Sequence, residues 1–379
     1  MASTLYPAAR AVAPTLHEHF IRHQAEARAE GHPNLAPIPS AAVIEAIVDA
    51  AFWASLRRQE GYVPRISLAF LPPDDRARSL RFETALGLGP LALSRLAPAV
   101  ERPGIHLGVW GEPGDLRLWG TTGSIPTLGF VLEVVSPGVL VVKHRLREDM
   151  PKFVNVAVFE GEKVKVLSGD DADLADYPAV MTSLLGLDAP RAVYDRDGVL
   201  ARIAVSMRAH GRGGSLLVVP SRTDAWRESM AGPLVYAVRP PFAGLAELVR
   251  DAPAHPREGR WHDALVRAVD AVAGLTAVDG ATVVNSDYEV LAFGAKIRRR
   301  DGCPEVEQVV VTEPIEGGYR RVVHPGQLGG MRHLSAAQFA QDQRDAVALV
   351  ASQDGRFTLF AWSPREKLVG ARRLEALLL

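Results

Sequence analysis

The sequence predicts two fold classes in one chain: an N-terminal α+β domain over residues 1–190 and a C-terminal α/β domain over residues 191–379, built on a mixed sheet flanked by helices. Three observations carry this. Helical spacing of apolar residues before residue 60 gives way, between Leu116 and Leu167, to short strands separated by turn signals, which is an antiparallel meander. Beyond Val199, helical segments alternate with buried apolar runs, the pattern of helices packed on the faces of a sheet. A length of 379 residues with 47% hydrophobic content supports two cores of ordinary size.

In the first half, Leu16, Phe20 and Ile21 predict a helix from Ala13 to Arg28. Ser40 is placed as the N-cap of a second helix reaching about Arg58, with Val43, Ile44, Ile47, Val48, Ala51 and Phe52 on one face. Of His17, His19 and His23, only the last two are spaced to share a helix face, and without a nearby carboxylate motif they read as a surface cluster rather than a metal pair. Strands are expected at Ile66–Leu71 and Ile105–Trp110, with a short helix at Pro90–Ala97 between them. The meander follows, turning at Trp119-Gly120, Ser136-Pro-Gly138 and Glu160-Gly-Glu162, and the half ends near the acidic segment Gly169–Pro178. It carries no Walker-type loop, nucleophile elbow or His-Glu-x-x-His pair, so no chemistry is legible there.

In the second half, Leu200–Ala209 predicts an amphipathic helix and Ser215–Pro220 a buried strand, joined by His210-Gly-Arg-Gly-Gly214. Those glycines suit a helix C-cap as well as a phosphate-binding loop. Pro240-Pro241 reads as a break, Ala243–Val249 and Trp261–Ala273 as helices, and Ala281–Val284 as a strand paired through Asn285-Ser-Asp287 with Glu289–Ile297. A loop-rich stretch with a strand at Val306–Thr312 follows, its arginines reading as a solvated face. A helix at Ser335–Gln343, strands at Ala346–Ala351 and Arg356–Trp362, and a closing helix at Arg365–Leu378 complete the expectation.

Composition excludes several functions. A net charge of −1 offers no field for nucleic acid or an acidic membrane surface. The single cysteine, Cys303, rules out an internal disulfide or a multi-cysteine zinc site and fits a cytoplasmic location. The N-terminus lacks a signal-peptide pattern, and the longest apolar stretch, Leu128–Val142, is interrupted by Glu133 and Ser136-Pro-Gly138, well short of the ~20 residues a membrane span needs. No nucleic-acid or membrane partner is expected.

Three motifs carry chemistry. Leu328-Gly-Gly-Met-Arg-His-Leu-Ser-Ala-Ala337 sets glycines, which allow close backbone approach, beside an Arg-His pair that can hydrogen-bond a ligand. Val278-Asp-Gly-Ala281 places an acidic residue and a glycine at the mouth of an apolar strand, and Val350-Ala-Ser-Gln-Asp-Gly355 brings Ser352 to a strand end. Together they predict a nucleotide pocket. The bland readings are a turn cap for Asp279, a core-edge arginine and a satisfied buried histidine for Arg332 and His333, and a hairpin turn for Asp354-Gly355.

In this order and with these flanking strands, the motifs resemble the diadenylate cyclase (DisA-N) superfamily over roughly residues 195–379, and most closely its diverged branch known as the probable sensor domain DACNV. The resemblance implies a nucleotide site formed by Asp279, Gly280, Ala281, Gly330, Met331, Arg332, His333, Leu334, Ser352 and Gln353. Active members join two ATP molecules into cyclic di-AMP across a face-to-face pair of subunits, with a divalent ion at the phosphates. Here Val278 stands where those enzymes carry His, Leu334 where they carry Arg, Met331 where they carry Thr and Gln353 where they carry Glu. The losses remove charge and metal ligands together. The resemblance therefore implies a non-catalytic sensor of an adenine nucleotide or cyclic dinucleotide, acting through an effector protein or a homodimer and needing no cofactor. The alternative is an active cyclase, with Asp279 and Asp354 holding Mg²⁺ or Mn²⁺ and Asp279 catalytic. A scaffold without ligand, and a hydrolase using Ser352, His333 and Asp279, are the remaining readings.

Overall fold

The computed structural model describes residues 5–32, 34–58, 61–73, 79–145, 153–167, 197–251, 260–318, 320–374 and 376. The acidic segment at 169–178 lies outside them. The chain divides into two compact units, Met1–Leu167 and Ser168–Leu378.

The first unit contains α1 (Pro7–Ala29), α2 (Ala41–Ser55), β1 (Ile66–Phe70), β2 (Ser79–Gly87), α3 (Pro90–Leu96), β3 (His106–Trp110), β4 (Arg117–Thr122), β5 (Phe130–Ser136), β6 (Val139–Arg145), β7 (Phe153–Glu160) and β8 (Lys163–Val166). Ser40 caps α2 as expected, its hydroxyl accepting from Val43 N–H at 3.4 Å. Val43, Ile44, Ile47, Val48 and Ala51 bury one stripe of that helix. The strands form one sheet in the order β2-β4-β3-β1-β5-β6-β7-β8, with β1 and β3 parallel and every other neighbour antiparallel. Leu68, Phe70, Leu107, Val109 and Leu132 pack with α1, α2 and α3. Alternate residues on the reverse face make a smaller cluster of Ala69, Leu71 and Val131.

The second unit contains α4 (Asp197–Ala209), β9 (Gly214–Val219), β10 (Tyr236–Phe242), α5 (Gly244–Arg250), α6 (Arg260–Leu275), β11 (Ala281–Asn285), β12 (Val290–Ala295), β13 (Val309–Thr312), β14 (Arg321–Val323), α7 (Met331–Asp342), β15 (Val347–Ala351), β16 (Phe357–Ser363) and β17 (Leu368–Arg373). Its sheet runs β10-β12-β11-β9-β15-β16-β17-β13-β14. β9 and β15 are buried at every residue. Alternation sends Leu216 and Val218 into one core with α4 and α6, and Leu217 and Val219 into another with α7. Continuous apolar runs follow from having helices on both faces.

The two sheets share a topology. In each, the first strand lies parallel to the third, the third pairs with the fourth, the fourth with the second, and the first runs antiparallel to a meander, β5 to β8 in one sheet and β15 to β17 in the other. A helix precedes the first strand in both, α2 in one and α4 in the other. The difference is an insertion. β4 and β5 are joined directly through residues 123–129, whereas β13, β14 and α7 intervene between β12 and β15.

Several expectations are corrected. Arg365–Leu378 is not a closing helix: Leu368–Arg373 is a strand seated between β16 and β13, where it satisfies backbone groups on both edges while burying Val369 and Ala371. β2 was hidden because its side chains are mostly exposed and lack alternation. Pro240 and Pro241 do not break the chain but lie in β10, an edge strand that can lack donors on one side.

Three histidines of the first unit are held neutral, chiefly by burial: His19 down to about 3, and His106 and His144 down to about 4. His23 and His144 add repulsion at His19. The cluster is therefore not the surface patch expected from the sequence. His19 stacks on His23 at 4.0 Å, with His144 at 5.7 Å and 5.9 Å from the two rings, and neither His19 nitrogen has a hydrogen-bond partner among the described residues. Folded-state values below the unfolded value near 6.5 mean that the unfolded chain takes up protons first. Stability from these groups is complete above about pH 6.5 and falls as pH drops toward 4. Melting midpoints are expected to decline from pH 7 to pH 5, with a smaller decline in His144→Phe, whose ring would join Phe20 and Phe130. A midpoint flat to pH 5 would refute this account.

Candidate functional site

β9 gathers the motifs. It lies parallel to β11, with Ser215 opposite Ala281, and antiparallel to β15, with Gly214 opposite Ala351. The amino ends of β9 and β11 and the carboxyl end of β15 therefore meet at one edge of the sheet, with Asp279-Gly280 entering β11 and Ser352-Gln353 leaving β15. The first turn of α7 joins them. That helix begins at Met331, four residues before the start expected from the sequence, so Arg332 and His333 stand on a helix rather than in a loop.

Arg332 and Gln353 meet at Gly213. A Cβ on Gly213 would lie 2.8 Å from an Arg332 guanidinium nitrogen, 3.1 Å from the Ala351 carbonyl and 3.4 Å from Gln353 Cγ. With φ +69, Gly213 is also in the left-handed region that favours glycine. Gln353 Nε2 reaches the Arg212 carbonyl at 3.5 Å, tying the β15 exit to the β9 entry. Gly330 caps α7 without a side-chain hydrogen bond, and no acidic residue occupies the first turn. Its partial positive charge is thus offered at the same edge as Arg332.

Asp279 is 87% exposed and accepts from Lys296 Nζ at 2.5 Å. That hydrogen bond and the Lys296 charge, with a smaller contribution from Arg332, hold its carboxyl below the usual range. Gly280, at φ +119, faces the backbone of Gly294, so a side chain there would strike peptide atoms that cannot move aside. Gly294 in turn lies under the Tyr236 ring, which stacks on Phe293 at 4.8 Å with 1° between planes. Tyr236 is 47% exposed, a flat aromatic face beside the Asp279 hairpin.

The other expected residues play unequal parts. Ala281 is buried at the start of β11, and Leu334 packs into the α7 core. Met331 is 74% exposed. His333 is buried, edge-on to Phe360 at 6.0 Å and closely approached by Gly329, and its Nε2 has no hydrogen-bond partner among the described residues. The expected satisfied histidine is instead an unsatisfied one. Burial lowers its pKa, Arg356 and Arg373 add to that effect, and Asp354 opposes it. Ser352 closes the turn with its backbone, donating N–H to Arg356 and accepting from Gly355.

A divalent ion does not suit the carboxylates present. Asp279 is bound to Lys296, and Asp354 pairs with Arg356 at 3.3 Å, so each already faces a cation. Among the described residues, no group of three or more His, Cys, Asp or Glu is arranged to hold a metal ion. An anion suits the edge better: Arg332, which has no ion pair among the described residues, and the α7 amino end lie there, with the Lys296–Asp279 pair alongside. Lys296, Tyr236 and Phe293 went unread in the sequence because only the β11–β12 hairpin and its β10 neighbour bring them beside Asp279.

A family model for the probable sensor domain DACNV matches residues 33–123. The match runs across α2 to β4, inside the first unit, whereas the resemblance drawn from the motifs had placed that branch on residues 195–379. The correction has a topological basis, because α2 to β4 repeats the connections of α4 to β12. The crystal structure of a hypothetical membrane spanning protein from Bacillus cereus is similar at 13% identity and a TM-score of 0.26, covering 53% of this chain and 66% of that one; a likeness of that size fixes neither fold nor function. No curated protein matches the chain. Among the described residues, no helix is long and apolar enough to cross a membrane.

The two glycines should respond differently to a methyl group. Gly213→Ala is expected to cost about 1–2 kcal/mol, the left-handed penalty, because the Arg332 side chain can swing aside. Gly280→Ala should cost more, beyond about 3 kcal/mol, because strain and backbone overlap combine. Urea denaturation measures both, and equal losses would contradict the geometry.

Proposed function

We propose that the second unit is a non-catalytic sensor module that binds an adenine nucleotide or cyclic dinucleotide at the edge formed by β9, β11, β15 and the first turn of α7. The observation that carries this is the meeting of Arg332, Gln353 and Gly213 at the entry to β9, with Asp279 and Lys296 alongside. In the binding mode proposed, Arg332 and the α7 amino end meet phosphate oxygens with hydrogen bonds, and Lys296, which Asp279 holds, stands alongside as a second cation. Tyr236, flat and half-exposed, offers a stacking surface for a base. The match to a probable sensor domain over residues 33–123 supports a sensing role for the chain.

Turnover is not part of the proposal, because the residues that would have to hold a metal are engaged by cations. Val278, Leu334 and Gln353 occupy the positions at which the resemblance leads one to expect His, Arg and Glu. The remaining side chains bind and orient. Ligand occupancy would be relayed to an effector protein or a second copy.

Calorimetry of the full chain against ATP, AMP and cyclic di-AMP is expected to give micromolar or tighter binding for at least one of them, near −8 kcal/mol or better. Arg332→Ala should weaken it at least tenfold while leaving the melting temperature within a few degrees. No binding from the panel, or full affinity in Arg332→Ala, overturns the site. Incubation with ATP and Mn²⁺ should release neither pyrophosphate nor cyclic di-AMP, and formation of either would reinstate the cyclase.

A further inference from the structure

A cavity of about 570 Å³ opens at the other end of β9, around Val219 and Pro220. At about 3.3 Å per residue, the six-residue strand places it some 20 Å from Gly213. It lies outside the carboxyl end of the parallel pair β9 and β11, where open sheets with parallel strands commonly receive ligands. Its volume falls in the range of small-molecule sites. Nothing in the Arg332 site extends into it.

The walls are aromatic and cationic. Trp226 and Trp362 line the cavity with Arg300, Arg344, Lys367 and Cys303. Arg344 lies over the Trp362 ring at 4.1 Å, a stacking that holds the guanidinium plane while leaving its N–H edges available. Trp226 is 1% exposed, and its indole N–H has no acceptor among the described residues. One lining cation is already engaged, Arg300 pairing with Glu228 at 2.7 Å, whereas Asp342 accepts only from neutral donors, the Gln338 amide and the Arg300 backbone N–H, and is buried. Arg344, Lys367 and Asp345 line the cavity with no ion pair among the described residues. With Asp342 counted, the lining charges outside the Arg300–Glu228 pair balance, but Asp342 is buried while Arg344, Lys367 and Asp345 are exposed, so the accessible wall holds two cations against one carboxylate. The preference for an anion therefore rests on Arg344 and Lys367 themselves and not on a net field.

We propose that this cavity is a second ligand site, taking a small organic anion whose carboxylate or phosphate meets Arg344 and Lys367 while a flat apolar body packs beside the partly exposed Trp362. The site is independent of the nucleotide reading above. Its residues lie at the carboxyl end of α7 and Arg332 at the amino end, so the two can be separated by mutation.

Cys303 supplies the readout, since it is the single cysteine in the chain and lines the cavity. Full-length protein is titrated with AMP, salicylate and inorganic phosphate while the alkylation rate of Cys303 and the tryptophan fluorescence are followed. AMP or salicylate should slow alkylation at least threefold and quench fluorescence, with inorganic phosphate much weaker because it lacks the flat body. Protection should persist in Arg332→Ala and be lost in Arg344→Gln and in Lys367→Gln, two exposed positions whose substitution spares the core. Protection unchanged in both glutamine variants, protection lost in Arg332→Ala, or no protection by AMP or salicylate at millimolar concentration would each overturn the proposal.

Discussion

The burial of β9 on both faces is the constraint on which the second unit depends. Every residue of the strand is inaccessible, its alternate side chains belong to different cores, and its edges are hydrogen-bonded to β11 and β15. A strand held this way cannot slip by one residue without exchanging Leu216 and Val218 for Leu217 and Val219 across the sheet. Its fixed register delivers Asp279, Arg332 and Gln353 to one edge although they are spread over 75 positions of sequence. The site is thus assembled by a core that has no chemistry of its own.

The shared topology explains where the two units diverge. Without an element corresponding to α7, the first sheet has described helices on one face only, and its other face carries a polar pair, with Ser67 Oγ and His106 Nδ1 2.6 Å apart. In the second unit the inserted β13, β14 and α7 cover the equivalent face and bring the Arg-His pair with them. The same framework therefore carries the motif-bearing edge only where the insertion exists.

Polar burial is unevenly compensated. Gln338 and Asp342 are buried and satisfied, tying α7 to the preceding loop by accepting from the Val306 N–H at 2.9 Å and the Arg300 N–H at 2.8 Å. His333, one turn earlier on the same helix, is buried with Nε2 unpaired, at a cost on the order of 1–3 kcal/mol. A helix anchored firmly at its carboxyl end and incompletely satisfied near its amino end has its reserve of instability beside Arg332.

Sequence alone determined the elements whose pattern is local: α2 with its Ser40 cap, the continuous apolar runs of β9 and β15, the Asn285 hairpin, and the meander from β4 to β8. It also marked Asp279, Arg332 and Gln353 as chemically unusual, because short motifs keep their residue types whatever surrounds them. Only the tertiary structure decided the rest. Leu368–Arg373 became a strand because two neighbouring edges offered hydrogen bonds that no local propensity encodes, and β10 kept its prolines because it lies at an edge. Lys296 joined Asp279 across a hairpin, Tyr236 came from a third strand, and the Trp226–Trp362 cavity was built from four separated segments. Such groupings follow from strand order, which is set by how two cores are filled, and no single window of sequence contains that information.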